Sequence, residues 1–251
     1  MDFATVKIRC SALGCLFTEP QSKEDKIAGN LSKTAKSHLN RVYVEALWGK
    51  RMEITTKQMD KGILAEPDAI MMLSILDDEF YDKNLERKED DFIQGHADIV
   101  TENEIMDIKC SWSAETFISN LTEGINKDYL YQLQGYMRLW NKPTARIRYC
   151  LVSAPESIIQ DELKKLLFRM DVATELNPEY VKAAQDLQFQ LTFDEIPIEH
   201  RIIDVIIPRD EQIIEQIPSK VEKAREYLAE LHEKHMKLSK TYQNPELIHQ
   251  P

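Results

Sequence analysis

The sequence predicts an α/β or α+β domain with a small central sheet flanked by helices. Strand-like segments alternate with segments of helical periodicity along the 251 residues, which is typical of a sheet enclosed by helices. Hydrophobic residues make up 43% of the chain, so a packed core can form. With 7 glycines and 10 prolines the chain is not of low complexity, and we expect a soluble, globular protein.

The first part of the chain carries four predicted elements. A strand that runs into a loop covers 5–14, two helices cover 31–49 and 56–76, and a polar loop covers 77–91. The first helix has Ser32 as its N-cap and ends at Gly49. In the second helix, Pro67 makes Glu66 the expected position of a break or kink. The fourth element is acidic and polar, which favours a loop.

Residues 93–112 predict a hairpin of two strands joined at Glu102–Asn103. This register pairs residue 99 with 106, so that Asp98 lies directly across from Asp107. Strand alternation puts Lys109 and His96 on the same face. The other face is apolar and consists of Ala97, Ile99, Met106, Ile108 and Cys110.

Helices and strands alternate after the hairpin. The predicted helices cover 127–140, 156–170, 210–217 and 218–240, and the predicted strands cover 145–155 and 200–208. The first of these helices has an apolar stripe of Leu130, Leu133, Met137 and Trp140. Pro208 ends the last strand, and Pro218 lies near the start of the last helix. The tail 241–251 is expected to be frayed.

The two opposed carboxylates predict a metal site. Across a strand ladder the Cβ atoms of Asp98 and Asp107 would lie roughly 4.5–5.5 Å apart, where like charges repel. Mg²⁺ or Mn²⁺ reverses this repulsion, because these ions prefer carboxylate oxygens. Lys109 beside them could orient a water or stabilise charge on a phosphate. The alternative is a surface hairpin whose charges face water, since D-x-K alone is a weak pattern.

Three more side chains are candidates for the same site. Gln132 and Tyr136 are four residues apart on a predicted helix, so they share a face and could reach a phosphate or the attacking water. Taken alone, such a pair is more often at the edge of a core. Glu66 interrupts an apolar helix, and a buried carboxylate needs a partner such as a metal. The alternative for Glu66 is an exposed position.

The distribution of charge leaves room for a nucleic-acid partner. The net charge of −11 argues against one when taken alone. Residues 1–57, however, hold ten Lys/Arg against six Asp/Glu, which allows a local basic surface. No apolar run approaches the roughly 20 residues of a membrane span, and no signal-peptide core is visible. We therefore expect a cytoplasmic protein without membrane contact.

The segments KGILAEP, GHAD, DIK and QLQGY, taken in this order, resemble the PD-(D/E)XK nuclease superfamily. The chain is most similar to the phage lambda-type alkaline exonucleases, also called YqaJ-like viral recombinases. VKIRCSALG and IIDVIIPRDEQIIEQIPSKVEKAREYL are also similar to that branch. The resemblance implies a restriction-endonuclease-like core in a single nuclease domain over 1–251. Its parts would be a basic DNA-contacting part (1–57), a catalytic core (58–208) and C-terminal helices (209–251).

The resemblance also implies a role for each matched residue. The ligands of Mg²⁺ or Mn²⁺ would be Asp98, Asp107, Glu66 and the backbone carbonyl of Ile108. Lys109 would position or activate the attacking water, and Gln132 and Tyr136 would contact the scissile region. Many relatives have Glu where Asp107 stands, and the shorter Asp would shift the metal position.

DNA contacts are expected in the N-terminal part. Ser11 would lie where such enzymes hold the DNA terminus or its phosphate. Arg9, Lys33 and Lys36 are further DNA-contact candidates. His96 is interpreted as a neighbour of the site without a direct role.

The implied activity is a Mg²⁺-dependent exonuclease that digests linear double-stranded DNA from the 5′ end in phage-type recombination. The resemblance implies three further properties: a ring-shaped homo-oligomer, a single-strand annealing protein as partner, and the cytoplasm of a bacterium or phage-infected host as location. One alternative is a restriction-type endonuclease on the same fold. Another is a non-catalytic interaction protein that uses the helix 218–240, whose His232 and His235 are expected to be solvated.

Overall fold

The computed structural model describes residues 2–51 and 56–243, with side chains described as far as residue 238. The helices of these parts are α1 (Leu13–Phe17), α2 (Lys23–Ile27), α3 (Lys33–Trp48), α4 (Lys57–Asp77), α5 (Ala114–Thr122), α6 (Lys127–Trp140), α7 (Glu156–Met170), α8 (Pro178–Leu191) and α9 (Glu211–Gln243). The strands are β1 (Ile8–Arg9), β2 (Lys88–Glu89), β3 (Ile93–Gly95), β4 (Ile99–Val100), β5 (Glu104–Cys110), β6 (Thr144–Cys150) and β7 (Ile202–Pro208). Short 3-10 helices cover Cys10–Ala12 and Ile198–His200.

Two small sheets hold the strands. The central sheet has the order β4-β5-β6-β7, in which β5 and β6 are parallel and the other pairs are antiparallel. A second sheet has the order β1-β3-β2, with β1 and β3 parallel. The predicted α/β class, with a small mixed sheet flanked by helices, is confirmed.

Strand β5 is buried on both faces, and each face packs against a different helix. Ile105 joins the main core, which includes Leu133 and Met137 of α6. Met106 and Ile108 point the other way and pack in a second core with α4. The alternation of β5 therefore directs Asp107 and Lys109 toward α6.

Two prolines do not end helices where the sequence predicted it. Helix α4 continues through Pro67, although a break or kink was expected at Glu66. Helix α9 continues through Pro218, where two helices were expected. In both cases apolar packing on flanking turns outweighs the lost backbone hydrogen bond, as the burial of Ala65 and Ala69 in α4 illustrates.

The remaining differences concern short elements. The polar segment 77–91 includes strand β2, and the predicted strand through 93–101 is divided into β3 and β4. The predicted strand over 145–155 ends at Cys150, and residues 241–243 belong to α9 rather than to a frayed tail. Residues 244–251 lie outside the described part. Four helices had no predicted counterpart, namely α1, α2, α5 and α8.

Candidate active site

The hairpin of β4 and β5 has the predicted register. Ile99 pairs with Met106 and Val100 with Ile105, and the backbone N–H of Thr101 donates to the carbonyl of Glu104 at the turn. Asp98 comes directly before β4 and Asp107 lies within β5, so the two carboxylates meet at the end of this ladder. The predicted opposition of the two acids is therefore confirmed.

Asp98 is mostly buried and bound to the strand opposite. Its Oδ2 accepts a hydrogen bond of 2.8 Å from the backbone N–H of Ile108. Burial, followed by the charge of Asp107, raises the pKa of Asp98 to about 7, against the effect of that hydrogen bond; the charge of Glu66 adds a smaller rise. The carboxylate is thus costly to ionise here unless a cation compensates it.

Lys109 forms an ion pair with Asp107 on the same face of β5. Its Nζ lies 2.6 Å from Oδ2 of Asp107 and 4.6 Å from the ring centre of Tyr129. Burial alone would lower the pKa of the ammonium, but the charges of Asp107 and Asp98 outweigh burial and raise it. Lys109 is therefore a fixed cation at neutral pH.

Helix α6 completes this group with Gln132 and Tyr136. Gln132 Nε2 donates to Oδ1 of Asp107 at 3.1 Å and to the hydroxyl of Tyr136 at 3.0 Å. Burial and then the charge of Asp107 raise the pKa of Tyr136, which keeps its hydroxyl protonated. The two residues share a face, as their spacing predicted, and this face contacts Asp107.

Glu66 lies near the pair but is engaged elsewhere. Its Oε2 forms an ion pair of 3.0 Å with Lys83, and its side chain is largely buried. Glu66 is therefore not the exposed residue of the alternative interpretation. Among residues 2–51 and 56–243, no three His, Cys, Asp or Glu side chains converge closely enough to enclose an ion by themselves.

Two buried oxygens nevertheless fit a hard cation at this place. Glu66 Oε1 is buried without a hydrogen-bond partner. Asp107 Oδ2 is buried and contacts the ammonium of Lys109 at 2.6 Å. Buried carboxylate oxygens rarely lack partners, and such oxygens are the ligands that Mg²⁺ and Mn²⁺ prefer.

A cavity of about 320 Å³ opens beside Tyr136. It is lined by Arg9, Cys10, Ser11, Arg51, Arg87, Gln94, Gly95, His96 and Tyr136. Two of the predicted DNA-contact residues, Arg9 and Ser11, lie in its wall. Gly95 lets the ring of Tyr136 approach, because a Cβ at this position would lie 2.7 Å from Cε1 of Tyr136. The cavity concentrates guanidinium groups beside Tyr136, which suits an anion.

More than nine tenths of the chain matches solved structures of exonucleases. The phage related exonuclease from Haemophilus somnus 129PT is 29% identical to it, with a TM-score of 0.70 over 92% of this chain and 97% of that one. The resemblance to the lambda-type alkaline exonucleases is therefore confirmed.

Two structures of the alkaline exonuclease LHK-Exo from Laribacter hongkongensis share the fold at 16% identity. The first has a TM-score of 0.62 over 94% of this chain and 95% of that chain, and a complex with dAMP has 0.61 over 92% and 94%. No family model and no curated protein matches the chain.

A second, larger cavity of about 1020 Å³ runs along α3. It shares Arg9, Arg51 and Gln94 with the first cavity. Its basic lining residues are Lys7, Arg9, His38, Arg41, Lys50 and Arg51. Lys33 and Lys36 are exposed in the first turns of α3 and line neither cavity. The basic count over 1–57 pointed to this region, but the fold was needed to select Arg41, Lys50 and Arg51, and to add Arg87.

The two histidines of α9 were expected to be solvated; they are partly exposed and also contact a tyrosine. Nδ1 of His232 and Nδ1 of His235 lie 3.0 and 2.8 Å from the hydroxyl of Tyr43. They attach α9 to α3 and are remote in sequence from the site residues. His96 precedes Asp98 by two residues, and its Nε2 lies 2.8 Å from the carbonyl of Asn84.

None of the helices in the described parts of the chain is long and apolar enough to cross a membrane.

Proposed function

We propose that this chain is a metal-dependent exonuclease that hydrolyses phosphodiester bonds at the ends of linear double-stranded DNA. The observation that carries the proposal is the opposed pair Asp98 and Asp107, with the ammonium of Lys109 2.6 Å from Asp107 Oδ2. The pair stands on a fold shared with exonucleases. Folding gains nothing from two adjacent acids, whereas metal-assisted hydrolysis of a phosphodiester uses such a pair to hold the ion.

Asp98, Asp107, Glu66 and the backbone carbonyl of Ile108 would hold Mg²⁺ or Mn²⁺. When bound, the ion lowers the pKa of a coordinated water and neutralises charge on the phosphate. Glu66 Oε1 is the oxygen that faces no protein donor, and Lys83 holds the other oxygen.

The surrounding residues of the chain act on the nucleophile and the leaving group. Asp107 holds Lys109 Nζ at 2.6 Å, so the ammonium is positioned to orient a water and to stabilise charge on the departing oxygen. Gln132 donates to Asp107 and so fixes the orientation of its carboxylate. Tyr136 lies in the wall of the first cavity, and its hydroxyl accepts from Gln132 at 3.0 Å.

The two cavities support an end-binding mode. The smaller one would hold a terminal phosphate with Arg9, Ser11 and the other guanidinium groups of its wall. A phosphate there would bind beside Tyr136, with the adjacent phosphodiester at the carboxylates, which favours digestion from the 5′ end. The larger basic cavity along α3 would hold further backbone phosphates.

Digestion of end-labelled DNA tests this proposal. Linear duplex should be degraded with Mg²⁺ and left intact with EDTA, and a covalently closed circle should survive. Cleavage of the closed circle would favour the restriction-type endonuclease instead. No cleavage of either substrate would favour the non-catalytic interaction protein.

Lys109→Ala is the matching variant. We expect near-complete loss of cleavage with the fold retained, because the ammonium beside the carboxylates is removed. Lys142→Ala is the control, since the ammonium of Lys142 donates to the carbonyl of Glu102 at the hairpin turn and not to the carboxylates of the site. Equal activity of the two variants would remove Lys109 from the mechanism.

The 5′ polarity can be tested separately by comparing duplexes with 5′-phosphate and 5′-hydroxyl ends. The ring-shaped oligomer, the annealing-protein partner, the role in recombination and the cytoplasmic location stay predictions.

A further inference from the structure

The polypeptide leaves one sheet and enters the other at residues 96–98. Strand β3 ends at Gly95 and β4 begins at Ile99. His96, Ala97 and Asp98 lie between them and belong to neither strand. The backbone that carries Asp98 is therefore not held by a strand ladder.

Asn84 supplies the hydrogen bonds that a ladder would otherwise give. Its backbone N–H donates to the carbonyl of Asp98 at 2.7 Å. Its side-chain Nδ2 donates to the carbonyl of Ala97 at 2.9 Å. Two successive carbonyls next to the Asp98 side chain are thus bound by one residue.

Asn84 is itself fixed on its other sides. Nδ2 also donates to the carbonyl of Glu86 at 3.0 Å, and Oδ1 accepts from the backbone N–H of Glu86 at 3.1 Å. The carbonyl of Asn84 accepts from Nε2 of His96 at 2.8 Å. An asparagine amide has two hydrogens, and both have acceptors here, so the side chain has one well-defined orientation.

The neighbouring residue reaches the other predicted ligand. Lys83 Nζ lies 3.0 Å from Oε2 of Glu66 on α4. Two consecutive residues of one loop therefore contact α4 at Glu66 and the 96–98 segment at Asp98.

We propose that Asn84 is a positioning residue that fixes the backbone of Asp98 and thereby sets the direction of its carboxylate. The role of Asn84 in the reaction rests on the proposed function, because Asp98 is a proposed metal ligand. Its structural role does not rest on that function, since the carboxylate of Asp98 accepts from the N–H of Ile108 in the protein alone. That hydrogen bond persists only while the backbone at 97–98 stays in place.

Amide hydrogen exchange of Ile108 in metal-free protein tests the structural part. In Asn84→Ala we expect the Ile108 amide to exchange about tenfold faster, which is the effect of losing one supporting hydrogen bond of about 1.4 kcal/mol. The amide of Ile147, which is buried in β6, serves as the internal reference for opening of the whole sheet.

Two further variants complete the design. Asn84→Asp is nearly isosteric and keeps the oxygen that accepts from Glu86, but it loses both side-chain N–H donors. It replaces Asn84→Ala if that variant does not fold, and it should show the same faster exchange of Ile108 relative to Ile147. Asn177→Ala is the matched control, because Asn177 caps α8 by accepting from Glu179 and Tyr180. Its loss should leave the ratio of the Ile108 and Ile147 rates unchanged.

Binding of Mn²⁺, measured by calorimetry, tests the functional part. We expect the affinity to fall about 10- to 100-fold in the Asn84 variants and to stay at the wild-type value in Asn177→Ala. An Ile108-to-Ile147 rate ratio equal to that of the wild type in both Asn84 variants would overturn the inference. Wild-type protein that binds no Mn²⁺ would overturn the proposed function and the metal-related role, while the exchange ratio would still decide whether Asn84 fixes Asp98.

Discussion

The ammonium of Lys109 lies 2.6 Å from Oδ2 of Asp107, on one face of strand β5. The other oxygen of the same carboxylate accepts from Gln132 on α6 at 3.1 Å. Asp107 is thus oriented by a neighbour on its own strand and by a residue of α6 that lies 25 positions later, and it is almost fully buried. This double fixation makes Asp107 the centre of the proposed site.

Replacing Gln132 should slow the reaction more than removing the hydroxyl of Tyr136. Gln132→Ala loses the hydrogen bond to Asp107, and we expect kcat to fall about 10- to 100-fold. Tyr136→Phe loses only a group that accepts from Gln132, so a smaller decrease is expected. Steady-state kinetics on linear duplex measure both, and the reverse order would show that Tyr136 acts directly on the substrate.

Asp98→Asn should stabilise the metal-free protein while abolishing activity. At pH 8 both buried carboxylates repel each other, and an asparagine oxygen can still accept from Ile108. We expect the free energy of unfolding in EDTA to rise by about 1 kcal/mol, or about 2–4 °C in Tm.

Asp90→Asn is the control for this experiment. Asp90 accepts from the backbone N–H groups of Phe92 and Ile93 and pairs with Arg138 at 2.6 Å, so its replacement should destabilise. Destabilisation by Asp98→Asn of the same size would contradict the account of two opposed carboxylates that share the single ammonium of Lys109.

The sequence predicted the central pair because the evidence for it is local. Strand alternation and a short turn suffice to place Asp98 opposite Asp107 and Lys109 beside it, and the observed register agrees. The break between β3 and β4 was not predicted, because it depends on Asn84, a residue of a distant loop. For the same reason Ala97 packs in the main core and not, as expected, with Ile99.

Gly95→Ala should disturb the wall of the smaller cavity. The new Cβ would lie 2.7 Å from Cε1 of Tyr136 and 2.9 Å from Sγ of Cys10, so the ring must move. We expect a loss of about 1–3 kcal/mol of stability and reduced cleavage of DNA ends. Gly62→Ala is the control, because no atom lies within 4 Å of its added Cβ and alanine favours the helix α4. Wild-type behaviour of Gly95→Ala would contradict the tight contact.

The buried Lys61 should make stability depend on pH in the alkaline range. Its Nζ donates to the carbonyls of Ser111 and Trp112 at 2.8 and 3.2 Å, and burial lowers its pKa from 10.5 to about 8. Between these two values the unfolded chain binds a proton that the folded protein has released, so the free energy of unfolding rises with pH.

Comparison with Lys61→Met isolates this contribution. The stability of the wild type relative to the variant should rise by about 2 kcal/mol from about pH 7 to about pH 9.5 in denaturant titrations. A difference between wild type and Lys61→Met that does not change with pH would contradict the shifted pKa.

The parts that the sequence did not predict depend on packing between distant segments. A break or kink was expected at Glu66, before Pro67; no break occurs, because the apolar face of α4 packs against β5 on both sides of the proline. The basic cavities combine β1 and α3 with Arg87 and Gln94, and no local pattern connects these residues. The ion pair of Glu66 with Lys83 likewise joins a helix to a loop.

Titration of Mn²⁺ into the metal-free protein tests the central claim most directly, with the Asp98→Asn/Asp107→Asn variant beside the wild type. The proposed site predicts heat of binding in the wild type and none in the variant, with both proteins folded. Absence of binding in the wild type, or equal binding in the two proteins, would contradict the claim that the two carboxylates are held together for a divalent cation.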